Sequence, residues 1–423
     1  MPKTQTNISD KINHLFRYEY GKLVSVLTKT FGSSNIELAE DVVQDAMLEA
    51  LKQWEYKGIP DNPIGWIYKV AKYKAVNIVN REKYKRKYSS EVAFHLQSEW
   101  TVEPTLNHIF TAKEIADDQL KMIFTCCHTS ISPDSQIALT LKTLCGFSIS
   151  EISKAFLTNE ESINKRLVRA RKTIREANYP FEVPTGMELE KRLKSVLETI
   201  YLLFNEGYSA SSGTDLIRYE LCEEAIRLAE IIAKNSNITK NSTVYALLAL
   251  MSLNVSRFKA RTDGYNNIVD LQNQDRTKWD KKVLSKGLAY LELSTKDKEI
   301  SSYHILATIS AHHCTSKDYE STNWESILSL YDNLIKIDNS SIVQLNRTVV
   351  ISKIRGVKAA LKELESIKDK SILRNYLPYY TTKAEFHFQN NEKEAAKKLL
   401  NKALKLPLKG NTTLLINNIL KKY

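Results

Sequence analysis

Two rows of cations carry the clearest chemistry in this sequence. Between Lys69 and Lys87 stand eight lysines and arginines (Lys69, Lys72, Lys74, Arg81, Lys83, Lys85, Arg86 and Lys87) with a single acid, Glu82. Tyr68, Tyr73, Tyr84 and Tyr88 are interleaved with them. Cations that track phosphates, beside aromatic faces on which unpaired bases can stack, are what single-strand binding requires. A second row of five, Lys165, Arg166, Arg169, Arg171 and Lys172, lies in a stretch with helical periodicity. Ile163, Leu167, Ala170 and Ile174 recur in steps of four, three and four, which places Glu161, Lys165, Arg169 and Lys172 on the opposite face.

The elements that must position this second row are two short helices. Ser148 and Glu151 form an S-x-x-E capping box, with Ile149, Ile152 and Phe156 at helical spacing after it. A second box, Thr158 with Glu161, predicts another helix almost at once. A short helix, a tight turn and a second helix with a basic outer face is the arrangement that enters a DNA major groove. A plain αα-hairpin with a solvated charged face shares that pattern, and the density of cations favours DNA.

Other chemistry finds little support. The five cysteines, Cys126, Cys127, Cys145, Cys222 and Cys314, are an odd number without disulfide spacing. Cys126-Cys127-His128 and His312-His313-Cys314 resemble ligand sets, but adjacent helical residues point about 100° apart and cannot share one ion. No metal site is expected. The segment from Phe204 to Gly213 lacks the G-x-x-x-x-G-K-[ST] pattern of a phosphate loop and reads as a helix-ending turn. Asp275, Arg276, Trp279 and Asp280 form a polar–aromatic cluster suited to an inter-helix contact. No nucleophile–base set or carboxylate pair emerges, so no catalytic residue and no cofactor is expected.

With 423 residues, 43% hydrophobic and 26% charged, the chain is long enough for two to four globular domains. Gly (12) and Pro (9) are scarce and the apolar spacing is helical almost throughout, which predicts an all-α fold. No apolar run can cross a bilayer and the N-terminus lacks signal-peptide order, so a cytoplasmic location without membrane contact is expected. The net charge of +12 does not locate a nucleic-acid surface, because residues 1–180 hold 25 Lys/Arg against 21 Asp/Glu while the rest hold the larger excess. Clustering does.

In chain order, residues 8–31 form an amphipathic helix or pair, with Leu15, Phe16, Tyr20, Leu23 and Leu27 apolar. Glu37–Trp54 is a helix whose buried side is assigned to Leu38, Val42, Ala46, Leu48 and Leu51, with Asp41, Gln44, Asp45 and Glu49 outside. Asn62 caps the next helix and Pro63 suits its first turn. Its core stripe is Ile64, Ile67, Ala71, Ala75 and Ile78, and Trp66, Lys69, Val70, Tyr73, Asn77 and Asn80 lie on another side. Residues 89–115 lose periodicity and read as a linker. Helices resume at Asp117–Cys127 and after Ser132-Pro133, where Ile137, Ala138, Leu141 and Leu144 face inward and Gly146 ends the helix.

This order resembles a bacterial RNA polymerase sigma factor of the extracytoplasmic-function type. AEDVVQDAMLEALKQW resembles the region-2 helix that binds core polymerase. NPIGWIYKVAKYKAVNIVNREKYKRK resembles the promoter-melting and −10 segment, and FSISEISKAFLTNEESINKRLVRARKTIR the region-4 reader of the −35 element. DDQLKMIFTCCHTSISPDSQIALTLKTLCG and LLFNEGYSAS resemble one subgroup with a long helical C-terminal extension. The resemblance implies a region-2-like domain at 1–88, a linker at 89–115, a region-4-like helix-turn-helix at 116–180 and an extension at 185–423. It implies core-polymerase binding by Asp41, Gln44 and Asp45, and −10 binding by Trp66, Lys69, Lys72, Tyr73, Asn77 and Arg81. Glu161, Ser162, Lys165, Arg166, Arg169 and Lys172 would face the −35 duplex. Core RNA polymerase and promoter DNA are the implied partners.

Within the extension, GVKAALKELESI and NEKEAAKKLLNK superpose Ala360 on Ala395 and Leu364 on Leu399, an offset of 35 close to a tetratricopeptide period. Trp324, Leu328 and Tyr331 begin a neighbouring unit. Stacked helix pairs would offer a concave surface to a regulatory protein or peptide. Two other readings remain: a helix-turn-helix regulator that works without polymerase, and a helical-repeat scaffold with an incidental basic hairpin.

Overall fold

The computed structural model describes residues 3–86, 112–156, 158–208, 217–235, 238, 241–263, 269–297, 299–370, 373–406, 413, 416–417 and 419–420. Every regular element among them is a helix, as the scarcity of Gly and Pro predicts, and none is long and apolar enough to cross a membrane. The chain divides into two compact units, Met1–Leu203 and Phe204–Tyr423.

The first unit is built on α1 (Lys3–Phe31), whose Tyr20, Leu23, Val24, Val26 and Leu27 are buried. Around it lie α2 (Ile36–Lys57), α3 (Pro63–Arg86) and α4 (Ala112–Cys126), followed by α5 (Pro133–Thr143), α6 (Ile149–Ala155) and α7 (Glu160–Ala177). The two cation-rich segments, separate in sequence, therefore belong to one unit. Gly21 sets how closely α1 approaches α5: a Cβ there would fall 1.9 Å from the Leu144 carbonyl oxygen, so only glycine lets α1 lie on the end of α5. Gly146 turns with φ 69° against the Tyr20 ring. Charges reinforce the contact. Lys29 bonds Glu114 at 2.6 Å and lies 3.5 Å from Asp118, and Arg17 pairs with Glu151.

Three expected core positions are exposed. Leu48 and Leu51 are 53% and 41% exposed, and α2 buries Val43, Met47, Ala50 and Trp54 with Val42 and Ala46. Ile64, in the first turn of α3, is likewise exposed, while Ile67, Ala71 and Ala75 are buried as expected.

The second unit opens with the last turn of α8 (Gly186–Tyr208) and continues through α9 (Tyr219–Lys234), α10 (Ser242–Val255), α11 (Lys281–Ser294) and α12 (Ser302–Thr315). Helix α10 is apolar almost all round (Val244, Leu247, Leu248, Leu250, Met251 and Leu253 are buried), so it must be enclosed, and α9, α11 and α12 pack against it. Helical hairpins follow: α13 (Trp324–Ile337) with α14 (Ser341–Arg355), then α15 (Val357–Ser366), α16 (Leu377–Gln389) and α17 (Lys393–Ala403). Ala360 and Leu364 are fully buried, but their counterparts in α17 are Ala396 and Leu400, thirty-six residues on, rather than Ala395 and Leu399.

Candidate nucleic-acid interface

The helix-turn-helix is held by its caps. The Ser148 N–H donates to Glu151 at 2.8 Å and the Glu151 N–H donates to Ser148 Oγ at 3.1 Å, the reciprocal box expected. Burial works to raise the Glu151 carboxyl, but the Ser148 bonds and Arg17 outweigh it and hold the group below the usual range. The second cap lies one residue later than expected. Asn159, not Thr158, accepts from the Ser162 N–H at 2.8 Å, and Glu161 instead pairs with Lys165 at 2.7 Å. Beyond the cap Ile163, Leu167, Ala170 and Ile174 are buried as a stripe, and Glu161, Lys165, Arg169 and Lys172 are exposed opposite.

The cations of α7 divide in two. Lys165, Arg169 and Lys172 face out, and Lys172 pairs with Glu176 of the same helix at 3.6 Å. Arg166 is half-buried, 3.3 Å from Asp134, beside a hollow of about 350 Å³ that Ser132, Ser135 and Arg169 also line. Arg171 turns inward to the buried carboxylate of Glu40 on α2, with Glu37 at 3.5 Å. Thr143 donates to the same Glu40 at 2.8 Å. Burial nevertheless pushes the Glu40 carboxyl above its ordinary value.

Helix α3 is positioned differently. The Gly65 N–H donates to Asn62 Oδ1 at 2.9 Å, confirming the expected cap, with Pro63 opening the helix. Trp66 is half-buried and meets the buried Trp54 edge-on, centroids 5.6 Å apart. The Tyr68 hydroxyl donates to Glu19 at 2.9 Å. Lys69, Tyr73, Asn77 and Arg81, each four residues on, form an exposed row, Tyr73 at 52%. Lys72 is half-buried, and Lys74 turns to Glu49 at 3.2 Å. Lys83, Lys85 and Arg86 lie on the same helix, whereas Lys87 and Tyr88 fall outside the described residues.

On α2, Asp41, Gln44 and Asp45 are exposed as expected, and so are Leu48 and Leu51 on the same face. Sequence reasoning assigned those leucines to the core. Their spacing of three and six residues from Asp45 was the signal that they continue the acidic face.

The extension begins inside the first unit. From α8, Arg192 donates to the Phe124 carbonyl at 2.6 Å, and Ser195 and Thr199 donate to Gln136 Oε1 at 3.0 and 3.1 Å. The Gln136 amide in turn donates to the His128 and Ile131 carbonyls. Cys126, Cys127 and Cys145 are buried thiols outside any disulfide, and burial pushes Cys127 up to about 11.

Three family models match the chain: Sigma-70 region 2 over residues 15–84, Sigma-70, region 4 over residues 121–174, and a Family of unknown function (DUF6596) over residues 192–295. An uncharacterized protein of Rhizobium meliloti (strain 1021), R00370, is 33% identical over 346 residues, covering 82% of this chain and 80% of its own. No solved structure matches.

Proposed function

Because the chain belongs to the sigma-70 family of RNA polymerase sigma factors, with regions 2 and 4 in place, we propose that it is an alternative factor of the extracytoplasmic-function type. It docks on core polymerase through the outer face of α2, where Asp41, Gln44 and Asp45 surround the exposed Leu48 and Leu51. It holds the melted −10 strand along α3 with Trp66, Lys69, Lys72, Tyr73, Asn77 and Arg81. It reads the −35 duplex with α7, through Glu161, Ser162, Lys165, Arg166, Arg169 and Lys172. The work is binding rather than bond-making: contacts available only to separated strands lower the free energy of the open promoter.

The observation that carries this reading is the exposed row Lys69, Tyr73, Asn77 and Arg81 in the same unit as a capped helix-turn-helix with a basic outer face. One face suits single strands and the other suits duplex, and a regulator that reads only duplex has no use for the first. The tetratricopeptide-like extension regulates engagement in cis. What supports this is that α8, its first helix, is bonded into region 4 through Arg192, Ser195 and Thr199.

The test is capture of core polymerase by the purified chain, followed by run-off transcription from genomic fragments. Core binding with discrete start sites is expected, and Leu48→Glu with Leu51→Glu should abolish capture without unfolding the protein. Lys165→Ala with Arg169→Ala should weaken promoter binding and reduce its salt slope by about two. No affinity for core polymerase, with tight duplex binding by the chain alone, would establish the independent regulator instead. A protein ending after Tyr208 keeps α8 in place, and unchanged output from it under all conditions rejects the regulatory role.

A further inference from the structure

The outer faces of α2, α3 and α7 are exposed, yet within the first unit the helices that carry them are fastened to one another. The seam runs between α1 and α2, which lie in the region-2 match, and the helices from α4 to α7, over which region 4 matches. Lys29 of α1 bonds Glu114 of α4 at 2.6 Å and lies 3.5 Å from Asp118. Arg17 of α1 pairs with Glu151 of α6 and lies over the Phe147 ring. The Gly21 backbone lies against the Leu144 carbonyl at the end of α5. On α2, Glu40 pairs with Arg171 of α7 and accepts from Thr143 of α5 at 2.8 Å. Just before α2, Ser33 donates to the Tyr179 carbonyl, and Ser34 Oγ lies 3.3 Å from Asn178 Oδ1.

These contacts limit how far apart the two cation rows can lie. Lys74, inside the row of α3, pairs with Glu49 of α2 at 3.2 Å, and Arg171, beside Lys172 of α7, pairs with Glu40 of the same α2. Glu40 and Glu49 are nine residues apart, about 14 Å along the helix. With a helix-packing distance of about 10 Å on either side, the rows stand no more than roughly 35 Å apart there. By their positions the −35 and −10 elements are separated by about 25 base pairs, roughly 85 Å of B-form duplex. Duplex with a persistence length of about 150 base pairs does not fold back over that span. On the reading of α3 and α7 as the −10 and −35 faces, the chain packed this way cannot hold both elements of one promoter.

We propose that this packing is a latched resting state, and that α1–α3 and α4–α7 part once the chain, docked on core polymerase, engages a promoter. The latch rests on the sigma-factor reading. Its seam is suited to opening as well as closing. The carboxylates of Glu40 and Asp118 are buried in it, and their desolvation, which offsets much of the attraction to Arg171 and Lys29, is recovered in water. Arg171 Nε and Asp118 Oδ2 are buried without a hydrogen-bond partner among the described residues, so opening satisfies polar groups that the closed form leaves unpaired. The outer face of α2, with Asp41, Leu48 and Leu51, is exposed in the latched form, which lets core polymerase dock before the seam opens. Until then each DNA face binds singly, without the gain in affinity that joining two sites gives.

Ser34→Cys with Asn178→Cys tests the latch in the full chain, because the five native cysteines are buried. A short bismaleimide joins the two introduced thiols across the seam. The linked chain should capture core polymerase as the unlinked double variant does, while its run-off transcription falls about tenfold or more. Spin labels on the same two cysteines, in place of the linker, should sit close together in the free chain. In the promoter complex they should move apart by about 30 Å or more. Lys29→Cys with Glu114→Cys, bridging α1 and α4, repeats both measurements if the first pair does not fold. A linked chain that captures core polymerase and transcribes at the unlinked rate overturns the latch alone, as does a label distance that stays short in the promoter complex. A parent chain that captures no core polymerase overturns the sigma-factor reading and the latch with it.

Discussion

Helices α3 and α7 both present a row of cations outward, yet they are fastened by different physics. Helix α3 is held chiefly by apolar and aromatic packing: Ile67, Ala71 and Ala75 are buried and Trp66 rests on Trp54. The Tyr68 bond to Glu19 and the Lys74 pair with Glu49 lie beside it, neither of them to a fully buried acid that has a guanidinium partner. Its outward side chains, Lys69, Tyr73, Asn77 and Arg81, have little part in that packing. Helix α7 has an apolar stripe too, but it is also pinned by charge, with Arg171 on the buried Glu40 and Arg166 on Asp134. The difference teaches that a basic helix can divide its cations between holding the fold and facing outward, where DNA would be met. In α7 the two kinds stand side by side, Arg169 out and Arg171 in.

The largest test of that division is Arg171→Ala against Arg169→Ala. Losing Arg171 leaves Glu40 buried without its cation, which should cost about 3–5 kcal/mol of stability in the first unit. Losing Arg169 should change stability by less than about 0.5 kcal/mol while weakening duplex binding. Denaturant unfolding and a salt titration of DNA binding check both. Equal stability of the two variants would erase the distinction.

On α3 the corresponding change is Trp66→Ala. It removes half-buried ring area and an edge-on aromatic contact, so a loss of about 2 kcal/mol is expected, together with weaker single-strand binding. Trp66→Phe should recover most of the stability. If Trp66→Ala were instead neutral to stability, α3 would not be packed in the way its burial implies.

A smaller effect separates the caps. Asn159→Ala should cost about 1 kcal/mol and Asn62→Ala a similar amount, because each side chain accepts from an N–H at the start of its helix. Thr158→Ala should cost little. Thermal melts of the three variants decide it, and a larger loss from Thr158→Ala would restore the cap to the position that sequence spacing suggested.

How far these features could be read in advance follows from which residues were ambiguous. The Ser148 and Asn62 caps were legible because their partners are local in sequence. Thr158 and Asn159 are both good caps, so the choice between them depended on the tertiary turn. The leucines of α2 have the same helix preference in a core as on an exposed face, and Leu48 and Leu51 could not be told apart from buried ones by type. Arg171 and Arg169 are chemically identical, and only the fold brings Glu40 to one of them. The repeat register slipped because Ala395-Ala396 and Leu399-Leu400 are doublets that align equally well either way. Family motifs marked the candidate faces of α2, α3 and α7, whereas the contact of α1 with α5 through Gly21 and Leu144 joins residues too far apart for periodicity to relate.

The smallest expected effect is a pH dependence that the Glu151 contact of the helix-turn-helix should show and the Trp66 contact of α3 should not. Glu151 sits below its ordinary value of 4.5 in the folded chain, where Ser148 and Arg17 bond its ionised form. As pH falls, the unfolded chain therefore takes up this proton first. The stability it contributes is complete above pH 4.5, declines as pH drops through that value, and is gone below the folded value. Both partners are partly exposed, so solvent screening keeps the contribution under about 1 kcal/mol. Buried Glu40, shifted the other way, contributes with opposite sign, and the readable quantity is the difference between the parent protein and Glu151→Gln. That difference should be constant from pH 7 to 5 and shrink towards pH 3, whereas Trp66→Phe should give a difference without slope over the same range. A sloping Trp66 profile, or a flat Glu151 one, would mean that charge does not distinguish how the two helices are held.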